Sequence, residues 1–323
     1  MIYRLLRWIS GIALHWFYRE IRVLGRENIP IRGPLLIAAN HQNALVDSLI
    51  AGWVMPRRIT MTAKATLIDN PLIAILFRIL GVVPLRRTSD EPRRSGRSTP
   101  DRSRNVGAFR EILRILEKEG AVLIFPEGKS HNERGLEPLR TGLARLALQA
   151  RDEQSIKGLC VLPIGLTFED KAMPGSIVGV RVGEAITMDT WAGRDPAVLT
   201  VEIARRMRGV SELADLPPAE SVERPQGRFI PQGLITLAAI WGRLTHELPI
   251  RMARRLALRQ SGDADQPAML TIMFGIGLIL LTYFLEITAV GVLARSFWIP
   301  FLFLVSLVVG AYWAAFEKHH QQN

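Results

Sequence analysis

Short apolar runs alternate along this chain with apolar stripes at three- and four-residue spacing. No other feature restricts its fold as much. The runs at 35–39, 59–63, 81–85, 121–125, 160–166 and 177–182 have the length and apolar content of buried strands. Helical patterns separate several of them. The clearest places Val106, Phe109, Ile112, Leu113 and Leu116 on one face, with Gly120 expected as its C-terminal cap. A second follows Pro138, with Leu139, Leu143 and Leu146 on one face. Alternation of this kind argues for the α/β class, with a mixed, largely parallel sheet sandwiched by helices. The sequence has no internal repeat.

The two ends follow other rules. Residues 268–285 and 297–316 are almost uninterruptedly apolar. Each is near the ~20 residues that cross a bilayer core. They read as a transmembrane helical hairpin, with Glu286 marking the end of the first span. Arg251, Arg254, Arg255 and Arg259 precede the hairpin and Lys318 follows it, so both of its ends are expected on the cytoplasmic side. Residues 1–24 mix Leu5, Trp8, Ile9, Ile12 and Phe17 with four arginines. Their longest uncharged stretch, Trp8 to Tyr18, is too short to span, and no small-residue cleavage site follows it. The segment reads as an amphipathic helix in the lipid interface, and an ordinary surface helix is the alternative. The expected organisation is therefore an interface helix (1–24), a catalytic domain (25–212), a linker with interfacial helices (213–267), two spans (268–316) and a tail (317–323). The Arg-, Ser- and Pro-rich stretch 91–104 reads as a solvated loop.

The formal net charge of +11 favours anionic lipid or phosphorylated substrates. Nucleic acid is disfavoured, because no aromatic-interleaved basic stretch, zinc spacing or RNA-binding signature occurs. Cys160 is the single cysteine and lies in an apolar run. It reads as a buried strand residue, not a nucleophile.

The residues able to do chemistry cluster at strand ends. His41 follows the run 35–39, at the edge where open α/β sheets place ligand chemistry. A neutral imidazole can take a proton from an alcohol, and its second nitrogen needs an acceptor, for which Asp47 is the nearest candidate. Residues six apart fall on different faces of an ideal helix. The pair meets only if 40–44 turns and a helix begins just before Asp47. Taken alone, a His–Asp pair is more often a capping feature. The run 81–85 ends in Arg86 and Arg87, and Lys64 ends another; arginine suits bidentate phosphate contacts. Phe125-Pro126-Glu127-Gly128-Lys129-Ser130-His131 carries Glu127 out of a strand on a Pro-Gly turn, where it would accept a substrate hydroxyl or position the arginines. Pro163 and Gly165 break the next strand and suit one wall of a pocket. No serine or cysteine nucleophile lies in 40–47 or 125–128, so direct transfer of a group onto a hydroxyl is favoured.

These four features in order resemble the blocks of the glycerophosphate acyltransferase superfamily, which includes the bacterial lysophosphatidic acid acyltransferases. Asn40-His41 through Asp47 is similar to the first block. Residues 81–87 are similar to the second, with Arg87 at the family's arginine position. Phe125-Pro126-Glu127-Gly128 matches the third and Val161-Leu162-Pro163-Ile164 the fourth. Lys64 aligns with a lysine common between the first two blocks. The resemblance covers roughly residues 20–210. Five residues separate His41 from Asp47 where four are usual, as in a branch similar to glycerol-3-phosphate acyltransferases. The third block usually continues Thr-Arg, and here it reads Lys129-Ser130.

The resemblance implies that His41 deprotonates a glycerol hydroxyl and that Asp47 orients it. Arg87, with Arg86 and Lys64, would bind the acceptor phosphate. Glu127, Gly128, Ser130 and Pro163 would complete the substrate site. The donor would be acyl-CoA or acyl carrier protein, and the acceptor lysophosphatidate or glycerol 3-phosphate. No metal or organic cofactor is implied. The expected partners are membrane lipids, and the expected place is the cytoplasmic face of a membrane. The alternatives are a lysophospholipid-remodelling or aminolipid acyltransferase, and a non-catalytic membrane-binding recruitment protein.

Overall fold

The structure, a computed structural model, describes residues 2–69, 71–86, 105–131, 135–212, 216–217, 232–260, 267–296 and 298–320. Arg87, the loop expected at 91–104, and residues 213–215, 218–231 and 261–266 of the linker segment lie outside the described residues. The chain divides into two units. The first comprises 1–11, 21–169 and 178–218; the second comprises 12–20, 170–177 and 219–323.

In chain order the elements are α1 (Ile2–Phe17), β1 (Glu20–Leu24), β2 (Leu35–Ala39), α2 (Ala44–Val54), β3 (Ile59–Lys64), α3 (Pro71–Leu80) and β4 (Val83–Leu85). Then come α4 (Val106–Glu117), β5 (Ala121–Ile124), α5 (Gly142–Asp152), β6 (Cys160–Phe168), β7 (Ile177–Val182), β8 (Ile186–Thr187) and α6 (Pro196–Ser211). The last three are α7 (Gln232–Gln260), α8 (Pro267–Ala294) and α9 (Trp298–His320). All six apolar runs are strands.

The first unit is built on one sheet, ordered β1-β7-β6-β2-β5-β3-β4, with β8 on β6. The pairs β2–β5, β2–β6, β3–β5 and β3–β4 are parallel. The pairs β6–β7 and β6–β8 are antiparallel. The sheet is therefore mixed and mostly parallel, with helices against it. β2 is central, and all five of its residues are buried. Burial on both faces explains why it reads as an unbroken apolar run instead of an alternation. Leu36, Val122, Ile124 and Val161 form one core with Ile112 and Leu116 of α4, Leu146 of α5, and Leu199 and Ile203 of α6.

Local chemistry sets the helix ends. Asp195 caps α6 by accepting from the amide of Ala197 at 2.8 Å, and Pro196 opens the helix, where a missing N–H costs nothing. The α4 terminus differs from expectation. Glu119, not Gly120, takes the left-handed conformation, at φ 56°. The amide of Gly120 donates to Ile115 O at 2.8 Å and that of Glu119 to Leu116 O at 2.9 Å, a Schellman closure. Gly120 is needed for space, because a Cβ there would lie 2.5 Å from Ile115 Cγ2.

The N-terminal helix also differs. It stops at Phe17, and residues 20–24 form β1 instead of a further turn. Leu5, Trp8, Ile9 and Ile12 are exposed along one helical stripe.

In the second unit, α7 packs with α8 and α9, and close approaches occur at glycines. A Cβ on Gly310 would touch Trp241 and Gly242, and one on Gly275 would lie 2.7 Å from the Trp16 ring. His246 of α7 hydrogen-bonds the Tyr283 hydroxyl of α8 at 2.6 Å. α8 is long and apolar enough to cross a membrane. It continues to Ala294, eight residues past Glu286. α9 is 23 residues long, and its described apolar part is Trp298–Ala311.

Candidate active site

The C-terminal ends of β2, β5, β3, β4 and β6 share one edge of the sheet, because all five run parallel. The site grows from the central strand. Past Ala39 the ladder is replaced by a side chain. Asn40 Nδ2 donates to Leu166 O at 2.9 Å, and Leu166 N donates to Asn40 Oδ1 at 2.7 Å. This fixes where β2 releases the next residue, His41.

The expected turn is present. Ala44 adopts φ 43°, Val46 N donates to Asn43 O at 2.9 Å, and α2 starts at Ala44. Asp47 thus lies in the first helical turn, fully buried, where free amides and the helix dipole favour an anion. Its Oδ2 accepts from Gln42 N at 2.8 Å, Asn43 N at 2.7 Å and His41 Nδ1 at 2.9 Å. Because the carboxylate accepts, Nδ1 carries the imidazole proton and Nε2 keeps its lone pair. Nε2 has no hydrogen-bond partner among the described residues. The ring stacks on Phe125, with centroids 4.0 Å apart and planes 14° apart.

The parallel neighbour β5 brings the Pro-Gly turn alongside. Gly128 N donates to Phe125 O at 3.0 Å, and Gly128 has φ 81°, which a side chain would strain. Glu127 is 2% exposed. It faces the main chain of His41: Oε1 accepts from His41 N at 2.7 Å. Oε2 accepts from Glu137 N at 2.8 Å and from His131 Nε2.

The remaining expected residues are less concentrated. Lys64 ends β3 in register with Leu85 of β4, so it shares that edge with Arg86. Arg86 is exposed, and its amide and carbonyl are both held at 2.9 Å by the side chain of Asn105. Ser130 is half-buried between Gly128 and His131. Pro163 sits on β6 opposite Ala38, with its carbonyl taken by Gly183 N at 2.9 Å. Gly165 is required because a Cβ would meet Val210 O at 2.0 Å. Cys160 lies at the opposite end of β6, and burial pushes its thiol up from the ordinary value.

Sequence reasoning gave no role to His131, to the Asn40–Leu166 lock or to the Phe125 ring. The spacing of four between Glu127 and His131 was the available signal.

Residues 20–167 match the family model described as Acyltransferase. A 1-acyl-sn-glycerol-3-phosphate acyltransferase of Borreliella burgdorferi is 26% identical over 159 residues, covering 49% of this chain and 53% of that protein. Glycerol-3-phosphate O-acyltransferase 2 of Saccharomyces cerevisiae is 33% identical over 85 residues, covering 26% of this chain and 11% of that protein. The chain spans about half or less of the length of these relatives. The crystal structure of the 1-acyl-sn-glycerophosphate acyltransferase PlsC from Thermotoga maritima shares the fold, with a TM-score of 0.51 at 21% identity, covering 67% of this chain and 82% of that one. Residues 20–167 thus match an Acyltransferase family model, carry four blocks in the order that resembles the glycerophosphate acyltransferase superfamily, and share the fold of PlsC.

Proposed function

We propose that the sheet unit transfers a fatty acyl group from a thioester donor to a hydroxyl of a glycerol phosphate acceptor, either lysophosphatidate or glycerol 3-phosphate. The observation that carries this reading is the His41–Asp47 contact at 2.9 Å, with Nε2 left unengaged at the C-terminal edge of the sheet. Nε2 takes the proton of the acceptor hydroxyl. The oxygen attacks the thioester carbonyl, a C–O bond forms, and collapse of the tetrahedral adduct breaks the C–S bond. The proton on Nε2 passes to the departing thiolate, so His41 ends as it began. Asp47 holds the tautomer and stabilises the transient imidazolium. Both substrates are bound together, so no acyl-enzyme is needed, and proximity supplies much of the rate.

Arg87, Arg86 and Lys64 are assigned to the acceptor phosphate, with Gly128, Ser130 and Pro163 lining the approach. Acyl-CoA or acyl carrier protein is the donor, and the scheme requires no metal or organic cofactor. The domain works at the cytoplasmic face of a membrane. The exposed stripe Leu5, Trp8, Ile9 and Ile12 and the apolar length of α8 support attachment to a membrane.

Full-length protein is assayed with labelled acyl-CoA and a panel of phosphorylated, zwitterionic and uncharged acceptors, and products are identified by mass. Acyl transfer to a glycerol phosphate acceptor is expected, and His41→Ala should lose about 10²–10⁴-fold in kcat. Full turnover by that variant would falsify the base assignment. No thioester consumption with any acceptor would favour a recruitment role instead.

A further inference from the structure

We infer that His131 is a positioning residue that sets the base His41 through Glu127. The inference rests on the reading of His41 as the general base.

His41 lies two residues beyond the last ladder residue of β2, so the sheet no longer holds its main chain. The 125–131 segment does so instead, at two points. The His41 amide donates to Glu127 Oε1 at 2.7 Å, and the His41 carbonyl accepts from His131 N at 3.1 Å. The two gripping residues are tied to each other, since His131 Nε2 donates to Glu127 Oε2. Glu137 N adds a further donor to that oxygen at 2.8 Å. Both oxygens of Glu127 are therefore occupied by protein donors.

Glu127 and His131 are 2% and 9% exposed. A buried carboxylate with only one end fixed would be free to turn about its terminal torsion. The ring of His131, together with the Glu137 amide, fixes the other end, and with it the direction of Oε1 against the His41 amide. Residue 131 thus takes part twice, by its backbone on the His41 carbonyl and by its ring on the glutamate. The third block of this chain reads Lys129-Ser130 before this histidine. The short ring reaches Glu127 across a single turn. Removing it shifts His41 by a fraction of an ångström, where reacting atoms tolerate about 1 Å of error at a cost near 10²-fold.

The test uses the full chain with acyl-CoA and the preferred acceptor. His131→Leu should lower kcat about ten- to hundredfold, with acceptor KM within about twofold. His131→Gln places an amide donor near the Nε2 position and should recover most of that loss. His131→Leu combined with Glu127→Gln should be no worse than the poorer single variant, because both act in one grip. Melting curves of each variant, with assays run well below the transition, separate positioning from unfolding.

A readout without turnover is the ring signal of His41 in protein carrying ¹³C-labelled histidine. It should move in His131→Leu and return in His131→Gln. An unchanged kcat, a loss confined to acceptor KM, no recovery by glutamine, or an unmoved His41 signal would each overturn the inference. An inactive wild type with a His41 signal that moves as expected would sink the proposed reaction and leave the grip standing.

Discussion

Asp47→Asn separates the charge of the acid from its geometry. All three donors to Asp47 end on one oxygen, Oδ2. The other, Oδ1, is buried without a hydrogen-bond partner among the described residues. An asparagine whose carbonyl oxygen takes the place of Oδ2 keeps all three bonds and the same histidine tautomer. Its NH₂ then occupies the Oδ1 position unpaired, at a cost of about 1–3 kcal/mol. That is a minor fraction of the ~5–15 kcal/mol that holds a domain together, so the variant should fold.

What disappears is the negative charge beside the imidazolium. At the observed 2.9 Å, an effective dielectric of about 20 gives roughly 6 kcal/mol between full charges. If about half the imidazolium charge has developed at the transition state, about 3 kcal/mol is lost there, or roughly two decades of rate. A fully formed imidazolium would give about four decades on the same scale. The expected result is therefore a fall of about 10²–10⁴-fold in kcat, with acceptor KM held within about twofold and a modest drop in Tm. Steady-state kinetics at saturating donor and a melting curve measure both. A kcat within about tenfold of wild type in folded protein would refute the assigned role of the acid.

Two stability predictions follow from the same edge of the sheet. Asn40→Ala removes bonds of 2.9 and 2.7 Å and strands the buried N–H and C=O of Leu166. It should cost about 2–4 kcal/mol in chemical denaturation, since each stranded group carries its own desolvation penalty. Ala44→Gly acts oppositely. At φ 43° the alanine sits in left-handed backbone that costs an L-residue about 1–2 kcal/mol, against about 0.4–1 kcal/mol of added unfolded-state entropy for glycine. A small rise in Tm is expected, and a clear fall would show that Ala44 is not strained.

The strands were legible because burial on both faces leaves almost nothing but apolar residues, as in β2. β1 was hidden for the complementary reason. It is an end strand of the sheet and half-buried, and Ile21 and Val23 extend the helical pattern of the segment before them. The His41–Asp47 meeting was conditional on a turn, which the left-handed Ala44 supplies. The grip of Glu127 and His131 on His41 was not legible. It joins main-chain groups about ninety residues apart, and only the choice of β5 as neighbour to β2 brings them together.

That choice also explains how separate sequence blocks make one site. β2 and β5 pair in parallel, with Ala38 opposite Ile124. Three residues beyond that pair lie His41 on one strand and Glu127 on the other. The amide-to-carboxylate contact between them is what equal offsets in a parallel register produce. The distance in sequence between the two blocks is then immaterial; what must be held is the offset of each from its strand. An extra residue before His41 would slide the base past Glu127, whereas one after it leaves the register untouched. The unusual residue between His41 and Asp47 is of the second kind. The chain makes its left-handed turn at Ala44 and enters α2 with Asp47 still able to reach Nδ1. Of the polar atoms of His41, the amide, the carbonyl and Nδ1 are held by protein, and the ring face is packed on Phe125. Nε2 alone is left, and it is the atom that the proposed base would use.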